Sequence, residues 1–192
     1  MGKKVYSSFY RLIHWLIAIT MLLLLLTIVL RMTWLNKANM SEIITSYAAS
    51  NHIEMSKGEV VNLAREIREP MWIWHIYFGY TLLGLFVVRI LAGVFTIIQF
   101  QNPFSNNITP KVRFQRFVYI VFYLCIFGSL VTGLMLEFGI TKYVTLIKSL
   151  HKASIYYFVG FLVLHFLGIL IAEFTYERGI VSRMINGRDK YE

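Results

Sequence analysis

Charge is scarce in this chain. Only 15% of its 192 residues are Asp, Glu, Lys or Arg, whereas 57% are hydrophobic; that balance excludes an ordinary soluble domain and places the chain in the membrane class. Acidic residues are scarcest, 10 against 19 Lys and Arg for a net charge of +9. In a membrane protein such an excess sits at helix ends, where it sets topology and touches headgroups, so no nucleic acid is expected as a partner. Three prolines and twelve glycines rarely interrupt the apolar runs. The lone Cys125 lies inside such a run and excludes an internal disulfide. There is no internal repeat and no low-complexity segment.

What is present is four long apolar segments, about 12–30, 73–100, 114–136 and 150–172. Lipid offers nothing to backbone N–H and C=O groups, so each is expected to be a helix. The predicted fold class is an all-α membrane protein, a four-helix antiparallel transmembrane bundle forming one integral membrane domain over 1–192. The first segment follows a basic head with Lys3, Lys4 and Arg11. It is too long for a signal-peptide core and no small-x-small cleavage site follows, so it is expected to be retained. The connection 31–70 carries five basic and five acidic residues. Within it, the charge spacing of Ser56 to Glu69 predicts a solvated surface helix, which Pro70 is expected to close. With the amino terminus inside, eleven basic residues lie on the inner side against eight outside. Both termini are therefore expected to be cytoplasmic.

Four antiparallel spans assign each histidine a depth. His14 and His165 fall near the cytoplasmic side, His75 and His151 near the outer side. His151 and His165 stand fourteen residues apart on one helix, which puts them within ~40° of the same face and roughly 21 Å apart along the axis. A single histidine at a helix end is ordinarily an interfacial residue. Four that pair by depth are better explained as ligands, because ionisable groups at membrane depth are expensive to keep. The pairs are His14 with His165 and His75 with His151, and two stacked bis-histidine sites suit two haem b groups. No Cys-x-x-Cys-His occurs, so such a haem is held by coordination alone. Zinc or non-haem iron would need His-Cys clusters or added carboxylates at one depth, which are lacking. His52, in the charged connection, reads as an ordinary surface residue.

Gly79 and Gly168, one turn beyond His75 and His165, lack the side chain that would keep a porphyrin from the helix; Gly128 and Gly133 offer the same on the third span. Arg11 and Arg89 both lie at the depth of the cytoplasmic haem, where they could pair with propionates or contact phospholipid. Arg113 and Arg116 join them as candidates for the vicinity of a quinone.

Tyr10-Arg11-Leu12-Ile13-His14-Trp15, His75-x-x-x-Gly79 followed by Arg89, the pair His151 and His165, and the tail Gly179-Ile-Val-Ser-Arg-Met-Ile-Asn-Gly187 together resemble the bacterial cytochrome b561 family. That group includes the cytochrome b subunits of nickel-iron hydrogenases and formate dehydrogenases. The resemblance covers all four spans and implies that His14, His75, His151 and His165 are axial haem ligands. It also implies electron transfer, through a respiratory chain in the cell inner membrane, between a periplasmic redox protein or oxidoreductase subunit and quinone. A stand-alone superoxide:quinone oxidoreductase is the alternative; Lys142, Lys148 and Lys152 around His151 could steer a small anion, although interfacial anchoring explains them equally.

Overall fold

The computed structural model describes residues 6–95, 102, 104–105, 108–140, 142–175 and 177–187. Among the described residues every regular element is a helix: α1 (Ser8–Met32), α2 (Lys37–Ser50), α3 (Lys57–Val94), α4 (Pro110–Glu137), α5 (Val144–Thr175) and α6 (Ile180–Ile185). Four of them, α1, α3, α4 and α5, are long and apolar enough to cross a bilayer. The chain is thus an all-α membrane protein with four candidate membrane-spanning helices, as its hydrophobic runs predict. Their outward faces carry exposed Leu12, Leu22, Leu26, Leu124, Phe127, Leu167 and Leu170, a lining suited to lipid and untenable in water. The expected end of the second segment, 96–100, lies outside the described residues.

By their contacts the residues form two compact units, Leu16–Phe86 and Met1–Trp15 together with Val87–Glu192. In the first unit, α2 is capped by Asn36, whose side chain accepts from the Asn39 amide at 2.8 Å. Ile44 of α2 packs with Val60 and Ala64 of α3, flanked by Met40 and Met55. Helix α3 opens on a capping box: the Ser56 amide donates to Glu59 Oε2 at 2.8 Å and the Glu59 amide to Ser56 Oγ at 3.3 Å.

Pro70 corrects the expected boundary. The surface helix does not end there, because α3 continues unbroken from Lys57 to Val94 with Pro70 inside it. Proline removes one N–H and frees the carbonyl four residues earlier. That carbonyl belongs to exposed Glu66, in the polar part of the helix, where water can satisfy it. The charged end of the connection, from Lys57, and the second span therefore belong to one continuous helix.

In the second unit, α4 starts at the Thr109 cap followed by Pro110 and ends in a Schellman turn. Gly139, at φ 68°, lets its own amide donate to Leu136 at 3.3 Å and that of Ile140 to Met135 at 3.0 Å. The chain reverses and α5 packs antiparallel on α4. Phe122 stacks on Phe161 with ring centres 3.4 Å apart, and Ser129 Oγ bonds both Ser154 Oγ at 2.5 Å and the Tyr157 hydroxyl at 2.6 Å. The tail folds back on itself: the Glu173 carboxylate accepts from the amides of Gly179 at 2.9 Å and Val181 at 3.3 Å, capping the N-terminus of α6. Buried Arg183 pairs with Glu177 at 3.3 Å. Trp15 Nε1 of α1 then donates to the Met184 carbonyl at 3.2 Å.

Candidate functional site

His14 on α1 and His165 on α5 come together within the second unit, their ring centres 6.1 Å apart and their planes inclined by 41°. One metal ion between two imidazoles, with bonds of about 2 Å on each side, separates ring centres by roughly 6 Å. The spacing would leave room for one metal ion held between the two imidazoles. Phe161 stacks on His165 at 5.4 Å, Tyr119 meets its ring edge-on at 6.5 Å, and Trp15 packs edge-on against His14 at 5.8 Å. Aromatic walls on both sides limit ring rotation.

Arg89 is held beside this pair. Its Nε donates to the Tyr123 hydroxyl at 2.9 Å and its guanidinium covers the Tyr10 ring at 4.7 Å. Its Nη1 is buried with no hydrogen-bond partner among the described residues. A buried charged donor without an acceptor is costly, which suits a carboxylate arriving with a cofactor. Arg11 Nη2 donates to Ser8 Oγ at 3.2 Å while its Nη1 is likewise buried and unbonded. The Arg11 guanidinium lies directly against Gly187, where any β-carbon would collide with it. Close packing against the tail, which spacing in the sequence did not suggest, holds Arg11 in place.

His151 occupies the start of α5 opposite the end of α4. Its Nδ1 donates to the Ser129 carbonyl at 3.1 Å, with Thr132 Oγ1 at 3.2 Å. The Thr132 hydroxyl gives its own proton to the carbonyls of Gly128 and Ser129, so it too can only accept from the ring. Nδ1 thus carries the proton and Nε2 the lone pair. Gly133 makes room for this imidazole, since a β-carbon there would sit 3.1 Å from His151 Cε1. The expectation that Gly133 admits a porphyrin is corrected accordingly: the space beside it is filled by the histidine ring.

His75, in the first unit, shows the same device. Its Nδ1 lies 2.8 Å from Thr27 Oγ1, and that hydroxyl donates to the Leu24 carbonyl at 2.6 Å. With that proton on the Leu24 carbonyl, the ring is the donor and its lone pair falls on Nε2, as at His151. Trp72 stacks on His75 at 5.0 Å with planes 8° apart. Imidazoles that bind metals characteristically give their second N–H to such a partner, which fixes tautomer and orientation. Thr27, Ser129 and Thr132 are the partners of these histidines that reading the sequence missed. Their only signal was a hydroxyl in an apolar run.

A β-carbon at Gly79 or Gly168 would meet nothing within 4 Å, so neither glycine is required by a neighbouring helix. His52 sits in a turn at φ 55° and is exposed. Lys142, Lys148 and Lys152 are all exposed, Lys142 resting on its neighbour Tyr143 at 5.2 Å. No group of three or more His, Cys, Asp or Glu side chains converges on a metal-sized site among the described residues. The chemistry on offer is paired imidazole nitrogens.

A sequence profile described as prokaryotic cytochrome b561 matches residues 5–187. Comparison with curated proteins and with solved structures gives no match.

Proposed function

The chain belongs to the prokaryotic cytochrome b561 family, membrane b-type cytochromes of transmembrane electron transfer, and from that premise we propose a di-haem protein linking a periplasmic redox partner to the quinone pool. The observation that carries the proposal is the approach of His14 and His165 to 6.1 Å between ring centres. Bound haem supplies one-electron iron chemistry, while the protein sets its position, potential and access. In this reading His14 and His165 hold the cytoplasmic haem, and His75 with His151 the outer one. Thr27 and the Ser129 carbonyl with Thr132 keep the two outer imidazoles oriented. Arg11 and Arg89 take propionates on the cytoplasmic side, and Gly79 and Gly168 leave the helix surface open to a porphyrin face. The protein spans the bacterial inner membrane with both termini in the cytoplasm.

Purification in mild detergent, with haem counted per chain and a reduced-minus-oxidised spectrum, tests the assignment. Two haems per chain are expected. His14→Ala and His165→Ala should lose the same haem, and His75→Ala and His151→Ala the other. A ratio near one, or losses that do not pair in this way, breaks the scheme. Quinol should reduce the haems in the purified protein; reduction by a superoxide pulse near the diffusion limit would transfer the assignment to a stand-alone superoxide:quinone oxidoreductase.

A further inference from the structure

We propose that Arg31 and Arg68 form a carboxylate-binding pair on the outer side of His75, whose ligand is the propionate pair of the haem that His75 holds. The proposal rests on the reading of His75 given above.

Arg68, Trp72, His75 and Gly79 follow one another at helical spacing along one stripe of α3. Thr27 and Arg31 form the facing stripe of α1. Two contacts register the stripes: Thr27 with His75 at 2.8 Å, and the Arg31 guanidinium over the Trp72 ring at 4.9 Å. The helices run antiparallel in this register, so Arg31, over Trp72, sits within one helical turn of Arg68, and its positive charge adds to the burial that disfavours a second charge there.

Two guanidinium groups drawn together repel unless an anion lies between them. Neither forms an ion pair among the described residues, although Glu66 and Glu69 flank Arg68 in sequence. Arg31 Nη1 and Arg68 Nε are each buried without a hydrogen-bond partner. Such orphaned charged donors are expensive. They recur on Arg11 and Arg89, the pair that the sequence offers as candidates for the propionates or a quinone of the other haem. The packing of α2 on the outer part of α3, through Ile44, Val60 and Ala64, adjoins Arg68, which lies one turn beyond Ala64.

The ligand follows from chemistry and reach. A planar guanidinium fork matches a carboxylate. Arg68 stands seven residues outward from His75, about 10 Å by helix rise, comparable with the reach of a porphyrin's carboxylate arms from its iron. A lipid phosphate shares the anionic chemistry, and the experiment separates the two.

The test uses the purified holoprotein with R31Q/R68Q and R31K/R68K double variants, reading haem release, redox potentials from an optical titration, and the propionate bending modes by resonance Raman. In R31Q/R68Q one haem, the one removed by His75→Ala, should be released about ten-fold faster, the equivalent of one charge-assisted bond. Its potential should fall, because removing positive charge favours the ferric state, and its propionate modes should shift while the other haem is unchanged. R31K/R68K should restore the potential in large part but not the modes. Unchanged release, potentials and modes in R31Q/R68Q overturn the proposal. So does loss of a tightly bound anionic phospholipid, seen by mass spectrometry, with both haems unaltered. If R31Q/R68Q does not accumulate, unchanged propionate modes in R31K/R68K overturn it equally. Haem content left unchanged by His75→Ala alone would instead sink the underlying reading of His75.

Discussion

The Thr27 hydroxyl lies 2.8 Å from His75 Nδ1 while giving its own proton to the Leu24 carbonyl at 2.6 Å. One hydroxyl has one proton, and spending it on the Leu24 carbonyl leaves Thr27 to accept from His75 Nδ1, with the ring's lone pair on Nε2. Thr27→Val keeps the shape and removes the acceptor. Loss of such a partner typically lowers metal affinity 10- to 100-fold, so about that weakening is expected at the outer haem. Haem per chain after purification, with Thr27→Ser as the variant that should retain wild-type content, checks the prediction. Full haem retention in Thr27→Val would remove the assigned role.

At Gly133 the neighbour is an imidazole and not open space. The nearest His151 atom would lie 3.1 Å from an added β-carbon, so Gly133→Ala should displace the ring by a few tenths of an ångström and Gly133→Val by more. The expected result is a graded perturbation of one haem spectrum of two, read by low-temperature difference spectroscopy. Identical spectra in both variants would show that the ring does not need this clearance.

Gly79 and Gly168 give the complementary experiment. Since, among the described residues, no atom outside the glycine's own stretch of helix lies within 4 Å of a β-carbon at either site, Gly79→Leu and Gly168→Leu should leave the fold and membrane insertion intact. Haem content should nevertheless drop by one in each, with Gly79→Leu affecting the outer haem and Gly168→Leu the cytoplasmic one. Retention of both haems would show that no porphyrin approaches these positions.

Pro70 interrupts the hydrogen-bond ladder of a helix that continues past it. Pro70→Ala restores the missing donor to the Glu66 carbonyl. Proline in a helix interior costs ~3 kcal/mol relative to alanine, so Pro70→Ala should stabilise the protein by up to about that amount. A higher thermal midpoint in detergent is the expected reading; an unchanged or lower one would mean that the helix depends on a bend at Pro70.

Much of this protein was legible before folding. The four apolar runs dictated helices, because lipid satisfies no backbone group, and histidine is recognisable wherever ionisable residues are otherwise excluded. Depth along antiparallel helices then sufficed to suggest His14 with His165, which the structure brings to 6.1 Å. The boundary at Pro70 was misread because a local rule about proline cannot see that the freed carbonyl faces water. The tail was recognised as a motif, but its contacts with Trp15 and Arg11 join residues more than 160 positions apart.

Composition and spacing alone determined that the chain has helices fit to cross a membrane and offered a pairing of its imidazoles by depth, since both follow from periodicity and the absence of water. Only tertiary structure decided which hydroxyl meets His75 and His151, which glycine yields to a ring and which arginines keep donors without partners. Those depend on which faces of neighbouring helices meet, and a hydroxyl in an apolar run carries no mark of the partner it will find.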